Sequence, residues 1–183
     1  PQRAYDPEKA RFLLKRAGLL DVRLPIYASP AAEGSVDMAS ILQDSAARIG
    51  LRFAVNRVPS DGYWSTHWMK HPLTFGNTNA RPTADLIFSL FFKSDASANE
   101  SGWKDPRFDQ LLLAARGEAD EAKRRQMYAD MQVMVHDLSG VVIPIFLASL
   151  DAFDSRLKGL QPVPLGGLMG FAFAEHVWLE EAK

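Results

Sequence analysis

The chain has 183 residues, 47% of them apolar and 23% charged, which suits one sizeable globular domain and excludes a disordered one. Its net charge of −1, with both signs interspersed, provides no field to steer nucleic acid or an anionic membrane, so polyanion binding is disfavoured. The absence of cysteine removes disulfides, thiol catalysis and thiolate metal sites.

In chain order, Asp6 as N-cap, Pro7 at the first helical position, Glu8 in the first turn and Gly18 past the end predict a helix with an apolar stripe of Ala10, Leu13, Leu14 and Ala17. Alternation over 22–27 predicts a strand, with Pro25 placing it at an edge or interrupting its pairing. Val36, Ala39, Leu42, Ala46 and Ile49 mark a helix over 34–49, stopped by Gly50, and a second strand follows at 51–58. Strand, helix and strand in that order form a βαβ unit, so the expected class is an α/β sheet with parallel pairing and helical cover.

From Pro59 to Gly102 short aromatic runs alternate with turn residues. A helix is expected over 60–70, capped by Ser60 or Asp61, then a short strand at Leu73-Thr74-Phe75, a turn-rich loop over 76–81 and a helix over 83–92. Asp105-Pro106 repeats the cap-plus-proline signature ahead of Phe108, Leu111, Leu112 and Ala115. Asp120 caps a longer helix with a stripe of Met127, Met131, Met134 and Leu138, Arg124, Arg125 and Asp130 facing water, and Gly140 as its stop. Val141-Val142-Ile143-Pro144-Ile145-Phe146 then reads as a buried strand, and the Pro- and Gly-rich residues 161–170 as a connection.

Candidate chemistry is sparse. His67 and His71 stand four apart, a spacing that lets two imidazoles share a metal, but Trp68 follows His67 where a metalloprotease pattern has its glutamate. Solvated or aromatic-stacked histidines are the simpler reading, with a metal-dependent hydrolase as the rival. His136 and His176 belong to no recognised metal-ligand spacing, and Gly166-Gly167-Leu168-Met169-Gly170 lacks the Lys-Ser/Thr of a phosphate loop. Glu180-Glu181 lies on a polar terminal stretch and offers no acid–base pair. The aromatic density of Tyr63, Trp64, Trp68, Phe75, Phe88, Phe91, Phe92 and Trp103 belongs mostly to core packing, with a minority expected to line a small-molecule cleft. Arg81 is a candidate polar fixer in such a cleft. An autonomous protein-interaction domain using the aromatic patch is a further alternative.

Five segments in order carry a resemblance: Tyr5-Asp6-Pro7-Glu8-Lys9-Ala10 with Leu13-Leu14 and Ala17-Gly18-Leu19; Ala47-Arg48-Ile49-Gly50-Leu51; Asn99, Ser101, Trp103, Pro106, Asp109 and Leu111-Leu112; Asp120, Arg124-Arg125, Tyr128 and Met131-Gln132; and Val142-Ile143-Pro144-Ile145. Together they resemble the peptide/nickel-binding family (family 5) of extracytoplasmic solute-binding proteins that serve ABC importers. The resemblance implies the C-terminal lobe of a type II periplasmic-binding-protein fold, a mixed and mostly parallel sheet flanked by helices. It implies no catalysis, no cofactor and no resident metal, and places the protein in the periplasm or on a lipid anchor at the cell surface.

The implied partners are a small-molecule solute, an ABC permease in the membrane, and an N-terminal lobe of the same protein. The resemblance implies that the chain begins inside the second lobe, and Pro-Gln-Arg, leading straight into a helix without a signal-peptide core, suggests a start in the middle of something larger. Residues 1–160 are then a ligand-binding lobe lacking its first elements and 161–183 the return through the hinge, and such a piece is expected to self-associate. Peptide binders of the family carry an aspartate just ahead of a proline in the cleft loop to hold the ligand's ammonium; the corresponding stretch here is Asn77-Thr78-Asn79-Ala80-Arg81-Pro82. Arg81 repels an ammonium and suits an anionic or hydroxyl-rich group. The expected ligand contacts are Arg81, Asn79, Trp64, Trp68, Phe75, Trp103 and Asn99.

Overall fold

The computed structural model describes residues 3–163 and 165–180. It divides at Asn77 and Thr78 into two compact units.

The first unit contains the predicted βαβ arrangement. Strand β1 (Arg23–Ala28) pairs in parallel with β2 (Arg52–Arg57), Arg23 opposite Arg52 through Ala28 opposite Arg57. Helix α2 (Ser35–Ala47) connects them and packs on both strands. Its inward residues Ala39 and Ala46 are small, so it approaches the sheet closely, over a core that includes Ile26, Ala28 and Ala32. Pro25 is tolerated because alternate residues of a strand address opposite neighbours. The Val22 and Ala28 carbonyls accept from Arg52 and Val58 on the β2 side, whereas the amide of Tyr27, two residues from Pro25, donates to Leu73 on the other. Pro25 thus lacks its N–H on the sparsely paired edge.

Helix α2 begins at Gly34, which has a left-handed φ of 73° and no side chain to cap with. The end is closed from inside: buried Ser35 donates its hydroxyl to the Ser29 carbonyl (2.7 Å) and accepts from the Ser29 amide (3.0 Å), while the Ser29 hydroxyl donates to Pro59 O (2.9 Å). Helix α1 (Pro7–Arg16) has its expected cap, Asp6 accepting from the Lys9 amide at 2.8 Å. None of its residues is buried, and Phe12 and Leu13 remain about half exposed.

Two expectations for this unit are corrected. The helix expected over 60–70 is the single turn α3 (Tyr63–Thr66), entered through left-handed Gly62 rather than capped by Ser60 or Asp61. Met69, with φ 57°, breaks the helical path before Lys70. The strand expected at Leu73-Thr74-Phe75 is reduced to one parallel bridge between Thr74 and Tyr27.

The second unit is built around a cluster of α4 (Ala84–Phe91), α5 (Pro106–Gly117) and α6 (Glu121–Leu138). Asp105 and Asp120 are the expected caps, accepting from the amides of Arg107 and of Ala122 and Lys123, and Thr83 caps α4 by accepting from the Leu86 amide. Phe88, Phe92, Phe108, Leu112, Ala115 and Met131 form the core, with Trp103 edge-on to Phe108 at 5.1 Å between ring centroids. Two members of the α6 pattern depart from expectation. Leu138 at the helix end is half exposed, and Arg124 is drawn in to donate to the Glu118 carbonyl at 2.9 Å.

The buried strand expected over 141–146 is not formed. This stretch has no strand partner among the described residues, and Val142 and Phe146 are 81% and 91% exposed. Apolar composition favours a buried strand only when neighbours take its backbone N–H and C=O groups. Beyond it, β3 (Leu157–Lys158) pairs antiparallel with β4 (Trp178–Leu179). Of the connection and the Glu180-Glu181 pair, residue 164 and residues 181–183 lie outside the described residues. No described helix is long and apolar enough to cross a membrane.

Candidate functional site

In the first unit, the fully buried Tyr63 organises an aromatic wall. Its hydroxyl donates to the Phe75 carbonyl (2.7 Å) and accepts from the Phe75 amide (3.1 Å), so one side chain satisfies both backbone groups of this residue. The Tyr27 amide holds the same segment at Leu73 O (3.0 Å). Trp64 meets the Tyr63 ring edge-on at 5.1 Å and Trp68 at 5.7 Å, and remains 43% exposed. The indole nitrogen of Trp68 is buried without an acceptor among the described residues, a donor whose desolvation is uncompensated. Trp64, Trp68 and Phe75 are therefore brought together around Tyr63.

His67 and His71 share this wall. Their rings stack on Tyr27, His71 at 3.6 Å and 7° and His67 at 5.7 Å and 23°, with His67 Nδ1 3.1 Å from His71 Nε2. The stacked reading of the two histidines agrees with this arrangement. No group of three or more His, Cys, Asp or Glu side chains is placed to hold a metal among the described residues.

In the second unit, Arg81 and Asn79 share the loop ahead of α4. One guanidinium nitrogen, Nη1, donates to the carbonyls of Asn79 (3.0 Å) and Ala80 (3.1 Å), which fixes the plane of the fork and leaves Nη2 and Nε without protein acceptors among the described residues. Asn99 and Trp103 have different work. Asn99 is 6% exposed, and its amide nitrogen donates to Trp103 O (2.7 Å) and Lys93 O (3.4 Å) while its oxygen accepts from the Ser101 hydroxyl (3.0 Å). With both amide hydrogens taken by its own loop, Asn99 shapes the 93–103 segment. Trp103 anchors that segment onto Phe108.

A polar cluster across the three helices had no sequence signal beyond favourable end charges, an acid in the first turn of α4 and an arginine in the last turn of α5. Asp85 accepts from Arg116 through both oxygens (Nε 2.8 Å, Nη2 3.1 Å) and from the Tyr128 hydroxyl (3.1 Å), and Arg116 also donates to the Ser89 hydroxyl. The Arg116 guanidinium holds the Asp85 carboxyl below its ordinary range, assisted by the Tyr128 hydroxyl and opposed by burial. Burial, and next the hydrogen bond to Asp85, raise the Tyr128 phenol.

Residues 1–100 match the family model described as "Bacterial extracellular solute-binding proteins, family 5 Middle". The chain belongs to this family. This family 5 chain is 29% identical over 178 residues to the dipeptide-binding protein of Escherichia coli (strain K12), covering 88% of this chain and 32% of that protein. Among solved structures it is similar to HbpA2 from Haemophilus parasuis (TM-score 0.70, 21% identity, 99% of this chain and 37% of that one). It is also similar to MoaA from A. tumefaciens R10 in complex with mannopinic acid (TM-score 0.62, 23% identity, 72% of this chain and 28% of that one). These neighbours have the type II periplasmic-binding fold, and the α/β expectation agrees with it. The family 5 chain spans about a third of the length of the curated relatives it matches. Those relatives are solute-binding proteins, which are not enzymes, and the hydrolase alternative has no support among them.

Proposed function

We propose that this chain is the C-terminal part of a periplasmic or lipid-tethered solute-binding protein that captures a small molecule and delivers it unchanged to an ABC permease. In this reading residues 1–160 contribute one wall of the binding cleft, residues 161–183 return through the hinge, and an N-terminal lobe supplies the opposite wall. Family membership supports capture as the task. Two lobes closing over a ligand give a closed state that a permease can distinguish from the open one.

We further propose that the ligand presents an anionic or hydroxyl-rich group to Arg81, with Asn79 beside it. The observation that carries this is the Arg81 guanidinium, oriented by its own loop carbonyls, with two nitrogens that meet no acceptor among the described residues. A carboxylate accepts such a fork in two parallel bonds, whereas the ammonium of a free peptide is repelled. The curated relatives are named for dipeptides and a neighbouring structure holds mannopinic acid, so the fold itself does not restrict the ligand class.

The experiment is a thermal-shift screen of the full-length protein against free peptides, opines, sugars and sugar acids. Stabilisation by carboxylated or polyhydroxylated solutes supports the reading. Stabilisation confined to free peptides refutes the assignment of Arg81.

A further inference from the structure

His67 and His71 have no task in the capture of an organic solute, yet their geometry is specific. His67 is the C-cap residue of α3, and the chain turns at left-handed Met69 so that His71 comes back beside it. The spacing of four residues therefore arises from a turn rather than from a continuing helix. Tyr27, fixed in β1, backs both rings and restricts their rotation. The two ring planes are inclined at 28° to one another, with Nδ1 of His67 and Nε2 of His71 separated by 3.1 Å.

That separation suits a shared proton, and it is also the bite of a chelate. Imidazole nitrogens bind a divalent transition ion at about 2.0–2.1 Å, so two of them on one ion stand roughly 2.9–3.4 Å apart for bond angles from square to tetrahedral. We propose that His67 Nδ1 and His71 Nε2 form a two-imidazole site for a late first-row divalent ion, with Cu²⁺ held most tightly and Zn²⁺ next in use as a probe. The proton between the rings must leave for the ion to enter. In the neutral pair the donating ring moves its proton to its own outward nitrogen, Nε2 if the donor is His67 or Nδ1 if it is His71, so each ring keeps one N–H facing away and gives one lone pair to the metal.

No third His, Asp or Glu joins the pair among the described residues, so the other coordination positions go to water or to a small chelating solute. The two-point site lacks a neighbouring carboxylate base. It is therefore a place for an ion to be held and not one for metal-assisted hydrolysis. Pre-orientation of both imidazoles by Tyr27 reduces the ordering cost of binding.

The test is Cu²⁺ titration of the purified protein followed by electron paramagnetic resonance, with Zn²⁺ titration followed on the imidazole nitrogens by NMR. The expected result is one ion per chain with superhyperfine coupling from two nitrogens. His67→Ala and His71→Ala should each weaken the dissociation constant at least tenfold, while His136→Ala leaves it unchanged. The NMR arm needs no variant: Zn²⁺ should shift the His67 and His71 resonances first. Cu²⁺ affinity indifferent to both substitutions, or Zn²⁺ shifts confined to His136 and His176, would overturn the proposal.

Discussion

Replacing Asp85 by Asn should loosen the three-helix unit by about 2 kcal/mol at neutral pH. The substitution keeps the size of the side chain but removes the charge, and it turns an amide nitrogen toward a guanidinium that can only donate. The Tyr128 hydroxyl, at 3.1 Å, loses a charged acceptor in a half-buried setting, worth about 1–1.5 kcal/mol. The Arg116 fork loses two bonds, but its side chain is 44% exposed and water replaces much of what is lost, so that share is discounted to about 0.5–1 kcal/mol. Native-state hydrogen exchange reads this unit locally. Amides of α5 and α6 around Leu112 and Met131 should exchange about thirtyfold faster in the variant.

The pH dependence adds a second check on the same carboxylate. Because Asp85 is held below its ordinary value of 3.8 in the folded protein, its contribution is fully present above that value and is lost as the pH falls through the lower folded one. The difference between wild type and variant should therefore vanish under strongly acidic conditions. Exchange within twofold of wild type at neutral pH, or a difference that persists below the folded value, would refute the reasoning.

Tyr63→Phe removes the hydroxyl that serves both backbone groups of Phe75, and should cost about 1–2 kcal/mol while raising amide exchange at 73–75; an unchanged exchange rate there would show that the hydroxyl does not hold this segment. The isolated 183-residue chain should self-associate through the apolar run 141–153, where Phe146 and Leu150 are more than nine-tenths exposed. Phe146→Lys with Leu150→Lys should shift sedimentation toward monomer, whereas a wild-type chain that is monomeric at micromolar concentration contradicts this.

The helices with chemical end signals were legible in the sequence. Asp6, Asp105 and Asp120 each accept the amide that a cap should accept, because the signal and its satisfaction lie within one turn. The parallel pairing of β1 and β2 followed from the helix between them. What failed depended on distant partners. The run 141–146 has strand composition, but pairing is a property of two chains of residues and not of one. Around 60–75 the decisive features were Gly62 and Met69 in left-handed conformations and a tyrosine hydroxyl reaching twelve residues ahead.

For the candidate site, residue type drew attention to the aromatic residues and to Arg81 but could not apportion their work. Asn99 looked like a polar contact for a ligand, and its amide is consumed by its own loop. The opposite happened at His67 and His71, where spacing alone was uninformative and the 3.1 Å approach against Tyr27 gave it meaning. Asp85, Arg116 and Tyr128 were missed because they are far apart in sequence and close only after three helices pack.

The most direct measurement is isothermal titration calorimetry of the full-length protein and its Arg81→Ala variant with a carboxylated solute found by thermal shift, alongside the uncharged amide of that solute. The account predicts that the acid binds the wild type at least tenfold more tightly than its amide does, that Arg81→Ala abolishes this preference, and that the solute is recovered chemically unchanged. Equal affinities for acid and amide in the wild type, or conversion of the solute during binding, would contradict it.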